Sequence, residues 1–359
     1  MTRIPAETLE KILYAGSLAP SGDNMQPWAF RAESNQIHLW NVPARDRSFY
    51  NWREKGAYVA HGAAIENMVI AARAHGWVPT LRLFPQPHTR EHVATIDLQP
   101  ARVEQHPLYA AVSARCTNRK PYRTTPLSPV QREELLSTPQ EVGGGEIRLF
   151  EDEESRMMLG AAGALNERVM FATHPMHEHF FHHLRWTDQE ERTAQCGLFL
   201  KTLELAPPKG LVLRLLRYWP AIRMANRLGF ADQVAKENAA LNASCAAIGM
   251  ILIPNFSDEE CVRAGRILQR VWLKATHMGL SLQPLIGTVF MIHRVRAGDA
   301  DILASEHSAL LRDTEAAINK IGRIAGETVV ALFRIGLSDP PSARSSRYPL
   351  AMLLSEDRR

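Results

Sequence analysis

Cysteine is scarce in this 359-residue chain: Cys116, Cys196, Cys245 and Cys261 are far apart and form no CxxC pair. That argues against a disulfide framework and suits a reducing compartment. No run of 18 apolar residues occurs, and the longest candidate, 246–254, has the length of a core segment, so no membrane span is expected. Arg3 is followed by no apolar h-region, so no secretory signal is expected and the cytoplasm is the expected location. Concentrated charge is missing too. With 42 Lys and Arg against 38 Asp and Glu, the net charge is +4 and spread out, which suits an anionic small ligand better than nucleic acid. What is present is 45% hydrophobic and 22% charged residues, the composition of a soluble globular protein with an ample core, long enough for two domains or one large one.

The densest local signal is Ala19-Pro20-Ser21-Gly22-Asp23-Asn24-Met25-Gln26-Pro27-Trp28, between a short helical pattern (Leu9, Ile12, Leu13) and a strand-like Ile37–Trp40. Pro20 and Gly22 stop the helix, and Ser21, Asp23 and Asn24 bond local backbone in turns. Pro27 holds the next segment extended. Gly22 and Ser21 leave room for a flat ligand, and the Asn24 and Gln26 amides each donate and accept. This stretch resembles the APSxxNxQPW-type motif of the flavin-binding nitroreductase superfamily, whose members hold FMN at a subunit interface. The resemblance implies Ser21, Gly22, Asn24 and Gln26 as cofactor contacts.

The chain also repeats itself. Residues 56–76 and 261–279 both read as helices rich in small residues, and in each an internal glycine (Gly62, Gly265) precedes a final glycine (Gly76, Gly279) by fourteen positions. Small residues at such spacing let helices approach closely, and each final glycine suits a left-handed C-cap. A second correspondence links Leu9–Leu13 and strand 37–40 to Gln131–Leu136 and strand 147–150. Leu13 to Ile37 is 24 positions and Leu136 to Ile147 is 11, so the second copy is 13 residues short where the first carries the PSGDN segment. The arrangement resembles the Acg-like (TNR) branch of the superfamily, in which one chain carries both halves of the usual dimer. One FMN per chain and a monomer are implied.

Arg115-Cys116-Thr117-Asn118-Arg119-Lys120 sets three cations within six positions, a plausible anion cradle because Arg presents a planar fork to phosphate oxygens. A solvated basic turn is the plainer alternative. By resemblance, Arg115 and Thr117 hold the FMN phosphate, and Arg119 sits nearer the ribityl chain and the N1–C2=O edge. Ala114 is small where many relatives have a second Arg. Near the C-terminus, Ala343-Arg344-Ser345-Ser346-Arg347 resembles the family's closing motif, which implies Arg347, then Arg344, at the phosphate. Between them, Gly279–Gly287 resembles the loop that passes along the isoalloxazine. Pro284, Leu285 and Ile286 are its candidates, with the Leu285 or Ile286 amide facing flavin N5, since Pro284 has none.

Residues 151–256 have no counterpart in the first half and are expected to be a helical lid. Five histidines lie within His174–His183, two of them (His179, His183) four apart, but no HExxH or Cys partner accompanies them and no metal is expected. Leu211–Leu216 with Arg214 and Arg217, then Tyr218-Trp219-Pro220, form a basic amphipathic stretch. A helix packed over the flavin is the expectation, and a membrane-surface role the alternative.

The fold expected is α+β and nitroreductase-like: a first half over 1–105 and a second over 106–359, packed as a pseudo-dimer, with the lid at about 151–256. The resemblance implies an FMN-dependent oxidoreductase that passes hydride from NAD(P)H to a small acceptor such as a nitroaromatic, quinone or enone. No side chain need act as acid or base, and neither nucleic acid nor membrane is an expected partner. The alternative is a protein that sequesters FMN under a closed lid without turnover.

Overall fold

In the computed structural model, which describes residues 2–103 and 105–354, the chain builds one sheet and then a second with the same strand order. Helix α1 (Ala6–Ser17) buries Ile12 and Leu13 and ends before Pro20. Strand β1 (Trp28–Glu33) turns at Ser34 and Asn35 into β2 (Gln36–Asn41). Helix α2 (Lys55–Ala74) follows, then β3 (Trp77–Leu83) and β4 (His92–Pro100). The order is β1-β2-β4-β3, with every neighbouring pair antiparallel.

A linker with the short helix α3 (Tyr109–Ala114) leads to α4 (Pro129–Leu136) and α5 (Thr138–Val142). Ser128 and Gln131 close a reciprocal capping box on α4, with Pro129 at the first helical position. Strand β5 (Glu146–Phe150) is followed by α6 (Glu153–Ala172), α7 (His174–His183), β6 (Leu184–Arg185), α8 (Asp188–Ala194), β7 (Leu198–Phe199), α9 (Pro207–Leu216), α10 (Trp219–Arg227) and α11 (Phe230–Ala243). The chain then enters β8 (Ala247–Ile253), α12 (Asp258–His277), β9 (Ser281–Pro284), α13 (Gly287–Arg296), α14 (Ser305–Gly322), β10 (Thr328–Gly336) and α15 (Leu350–Leu353). The second sheet runs β5-β8-β10-β9, again antiparallel throughout. All four cysteines are free, and among the described residues no helix is long and apolar enough to cross a membrane.

The two sheets match when β1 is set on β5, β2 on β8, α2 on α12, β3 on β9 and β4 on β10. This changes two expectations. The counterpart of β5 is β1, not the 37–40 strand, so the spacings to compare are Leu13 to Trp28 (fifteen) and Leu136 to Glu146 (ten). The second copy is therefore five residues short rather than 13. In place of the PSGDN turn it has Gly143-Gly144-Gly145, all at positive φ. The insertion is also shorter than 151–256, because β8 is an inner strand bonded to both β5 and β10. Residues 151–246 thus stand where the first sheet has the two-residue turn of a hairpin. The last residues also depart from a clean division at 105, since Leu354 bridges Phe30 of β1 and Met352 O accepts from Arg45.

Helices α2 and α12 lie between the sheets and pack against each other glycine to glycine. A Cβ built on Gly62 would lie 2.0 Å from the Val262 carbonyl oxygen, and one on Gly265 would lie 1.9 Å from the Val59 carbonyl oxygen. The contact is reciprocal: in both pairs the glycine meets the carbonyl three residues before the other glycine, as across a two-fold axis. Gln269 Nε2 donates to Asn67 Oδ1 at 2.6 Å, and the buried Glu66 carboxylate accepts from Arg266 (2.9 Å) and Arg270 (2.6 Å). Both final glycines are left-handed, Gly76 at φ 78° and Gly279 at φ 74°, as their C-cap positions require.

Gly265→Ala should cost about 3 kcal/mol or more, because the intruding methyl meets backbone that cannot rotate away. Gly210→Ala, in a helix with open space around it, should be neutral or stabilise slightly. Urea denaturation of the two variants checks the contrast.

Candidate functional site

The loop after α1 is strained and pinned. Asp23 (φ 45°), Asn24 (φ 59°) and Gln26 (φ 52°) all occupy the left-handed region, a backbone cost that persists only where the surroundings over-determine it. Ser21 Oγ accepts from the Gln26 amide at 2.9 Å. The Gln26 side chain, fully buried, donates to Asn24 O (3.2 Å) and Gln195 O (2.9 Å) and accepts from the Tyr348 amide (2.9 Å). It therefore ties the loop to the end of α8 and to the C-terminal segment, and its amide is not free for a ligand as the sequence reading expected. Asn24 differs: Nδ2 donates to Ser346 O at 3.0 Å, while Oδ1 is buried without a partner. Gly22 faces Asp46, with 3.6 Å from a built Cβ to Oδ2.

Against this loop stand two guanidiniums, Arg115 buried and Arg347 half-buried. Arg115, 6% exposed, donates to Leu18 O at 2.9 Å and lies 4.5 Å over the Trp272 ring, with Nε buried and unpartnered. Arg347 donates to Ser345 O (3.3 Å) and Ser346 O (3.1 Å), and its Nε is likewise unpartnered. Burial, and then the Arg347 charge, pushes Arg115 down to about 9; burial pushes Arg347 down to about 10. Among the described residues neither pairs with a carboxylate. Two desolvated like charges side by side are unfavourable unless an anion joins them.

Arg344 does different work. Its guanidinium donates to the carbonyls of Ser113 (2.9 Å), Ala114 and Arg115 (2.8 Å), closing the C-terminus of α3 and so fixing Arg115. It is exposed and positions the cradle rather than lining it. Thr117 bridges Leu282 of β9 through its backbone. Arg119 donates to Thr202 O at 3.0 Å, and burial lowers its pKa while Asp23 and Glu167 act on it as nearby negative charges. Residues of the 21–26 loop, the 115–119 segment and 344–347 are thus brought together from distant parts of the chain.

In the loop after β9 the two N5 candidates separate. Pro284 pairs with Phe333 in the sheet, and the Leu285 amide donates to Leu332 O at 2.7 Å, so it is occupied. Among the described residues no partner is found for the Ile286 amide, which stands just before α13. A Cβ on Gly287 would sit 2.3 Å from Asn166 Oδ1 and 3.4 Å from the Tyr50 ring, so this loop faces α6 closely.

Three residues escaped the sequence reading, and a fourth, His179, was noted only within the histidine cluster. Tyr50 OH, Asn166 Oδ1, Glu167 Oε2 and His179 Nε2 are all buried and unpartnered. Burial raises Glu167 to about 7, with Arg119 opposing, and holds the Tyr50 hydroxyl well above its usual range. His179 of α7 lies 3.6 Å from Asp23 Oδ2. Nothing in their local sequence marks them except the histidine density around His179, from which no metal was expected. Among the described residues no three His, Cys, Asp or Glu side chains gather as metal ligands. His177 instead bonds Leu216 O at 2.8 Å and His183 bonds His179 O at 2.8 Å. The stretch 211–220 is not seen over these residues as expected: α10 leans on α11, α6 and α7, α9 packs on α10, and the outer faces of both are exposed. Two clefts, of 230 and 470 Å³, are lined by other residues, around α13–α14 and around 43–54.

Because Glu167 is raised in the fold, the folded protein keeps a proton there that the unfolded chain loses. Its contribution is full below about pH 4.5 and is lost as pH climbs through about 7, a penalty on the order of 3 kcal/mol. Glu167→Gln should remove that loss, so the variant gains stability over the parent at pH 8 and not at pH 4.5, measured by urea denaturation at both.

No family model matches the chain. Among curated proteins it is 26% identical over 361 residues to "Putative NAD(P)H nitroreductase acg" of Mycobacterium tuberculosis, covering 96% of this chain and 95% of that one. It is also 26% identical over 292 residues to "Putative NAD(P)H nitroreductase Rv3131" of the same species, covering 78% and 76%. A third relative, the M. tuberculosis protein MT1398, aligns at 26% over 353 residues, and the chain spans about half (47%) of its length. Among solved structures, nitroreductase A from Vibrio parahaemolyticus RIMD 2210633 superposes with TM-score 0.39 at 11% identity over 71% of this chain and 77% of that one. The FMN-dependent nitroreductase NfnB from Mycobacterium smegmatis in complex with NADPH gives 0.38 at 11% over 70% and 98%. The chain, which carries the APSGDNMQPW loop, is thus similar along nearly its whole length to Acg, a protein named as an NAD(P)H nitroreductase.

Proposed function

We propose that the chain binds one FMN between its two sheet-and-helix halves, which form an internal pseudo-dimer, and uses it as an NAD(P)H oxidoreductase. The observation that carries this is the pair Arg115, buried, and Arg347, half-buried: among the described residues each has a buried, unpartnered Nε and neither pairs with a carboxylate. A phosphate supplies the missing charge and accepts from both forks. Its relatives' names, NAD(P)H nitroreductases, support the activity class.

The remaining residues fit the group at its other end. Asn24 Oδ1 and the Ile286 amide offer one acceptor and one donor that have no partner among the described residues. Arg119, held against Thr202 O, would supply a cation to a negatively charged ring edge. Leu285 and Pro284 shape the loop through β9 pairing, and Ser21, Gly22 and Gln26 hold the opposite loop in its strained form. When bound, FMN supplies the chemistry itself, taking hydride from NAD(P)H and giving it to a small acceptor such as a nitroaromatic, quinone or enone.

A second reading has its own support. The insertion reaches onto the site through Gln26 to Gln195 O, Arg119 to Thr202 O, Glu191 to the Ser346 amide and His179 beside Asp23. A cap tied down at so many points fits a protein that sequesters FMN. Steady-state NAD(P)H oxidation by the flavin-loaded protein decides: turnover supports the enzyme, loaded but inert protein supports sequestration, and failure to bind FMN sinks both.

Arg115→Ala should lower FMN retention by tenfold or more, since a desolvated charge-assisted pair is worth about 2–5 kcal/mol, while riboflavin binding changes much less. Titration of the variant with each flavin measures the difference, and equal loss of both would remove Arg115 from the phosphate. Released flavin quantified against protein should give one per chain.

A further inference from the structure

The insertion carries a second feature that the flavin reading does not use. Between Glu204 and Asp232 the chain has no acidic residue and five cations: Lys209, Arg214, Arg217, Arg223 and Arg227. That segment alone exceeds the net charge of the whole chain, +4. Only Lys209 pairs with an acid, Glu237 at 2.6 Å; among the described residues the four arginines have no carboxylate partner. Arg214 and Arg217 instead lie over the Trp186 and Tyr218 rings, at 5.6 and 4.7 Å.

The same two helices expose large apolar side chains. Leu211 and Leu215 are each 67% exposed, Tyr218 55%, Met224 57% and Leu228 86%. Leu211 and Leu215 are four apart on α9, Met224 and Leu228 four apart near α10, and Arg223 and Arg227 four apart beside them, so apolar and cationic rows run side by side. The inner faces are already used: Leu213, Leu216 and Ile222 are buried in the second core. Scattered exposed leucines are ordinary, but a contiguous set rimmed by unpaired cations marks an interaction surface.

We propose that α9 and α10 dock this protein on an anionic lipid surface, with the leucines entering the acyl boundary and the arginines meeting lipid phosphates. Charge complementarity selects that occupant. An amphipathic segment with aromatic and leucine side chains on one face and Lys and Arg on the other is the form that lies in the membrane interface. A second copy is the poorer fit, since a two-fold contact would set the unpaired arginines against their own copies. The inference is independent of the flavin, and it takes up the membrane-surface alternative for this stretch.

The full chain is mixed with vesicles of phosphatidylcholine alone, or of phosphatidylcholine with phosphatidylglycerol, and sedimented. Association is expected only with the mixed vesicles and should weaken as salt rises. Arg223→Gln with Arg227→Gln should reduce partitioning by on the order of twentyfold, about fivefold per cation. Leu211→Glu with Leu215→Glu should abolish it while circular dichroism is unchanged, because both positions are exposed. No sedimentation with either vesicle, or sedimentation that neither double variant alters, overturns the proposal. A concentration-dependent dimer that Leu211→Glu dissolves, with no vesicle binding, assigns the surface to a second copy and overturns it equally.

Discussion

The close approach of α2 and α12 is the constraint on which the other contacts rest. With glycine on each side, the two backbones come within reach of each other's carbonyls, and no larger residue is compatible with that separation. The approach brings Glu66 to Arg266 and Arg270, and Asn67 to Gln269. These buried polar pairs add little net stability after desolvation, but they admit one register and penalise every other. Register matters because Arg115 rests its guanidinium on Trp272 of α12 while bonding Leu18 O beside α1. A shift of one helical turn would separate the arginine from the loop it faces.

The candidate site is an electrostatic imbalance held by geometry. Two other buried cations are fully satisfied: Arg334, fully buried, bonds Gln283 Oε1, Leu241 O and Lys120 O and lies over Tyr122. Lys55 is similarly closed by Asp258 and Phe256 O. Arg115 and Arg347 are the contrast, and the strained 21–26 loop lies next to them. Unsatisfied buried charge together with left-handed non-glycine backbone is the combination that structural packing alone does not maintain.

Much of this was legible from local rules. The matched glycine spacings placed both long helices and both C-caps, because close packing and a left-handed cap each leave glycine little competition. The APSGDNMQPW loop and the Arg115 and Arg347 motifs were found because turn chemistry and forked cations are written in adjacent residues. The errors lie where tertiary pairing decides. Gln26 read as a ligand contact, yet its amide bonds residues 195 and 348; the Leu285 amide was equivalent to that of Ile286 until β10 claimed it. Strand β8 was assigned to the insertion since a seven-residue apolar run does not declare its neighbours. Glu167, Tyr50 and Asn166 sit on unremarkable patterns and gain their character only from enclosure.

The place of the insertion has a consequence for the order in which the molecule can form. In the first sheet Glu33 pairs with Gln36 across a two-residue turn, whereas in the second Phe150 pairs with Ile248, almost a hundred residues on. The first sheet is complete once residue 100 has left the ribosome. The second cannot close its innermost pair until the whole insertion is made, nor finish until β10 arrives at residue 336. Non-local pairing of this kind is slow, because the loop entropy comes before the contacts that offset it. During that interval α2 presents its glycine-bearing face with no α12 to cover it, so the nascent first half is the aggregation-prone species of this protein.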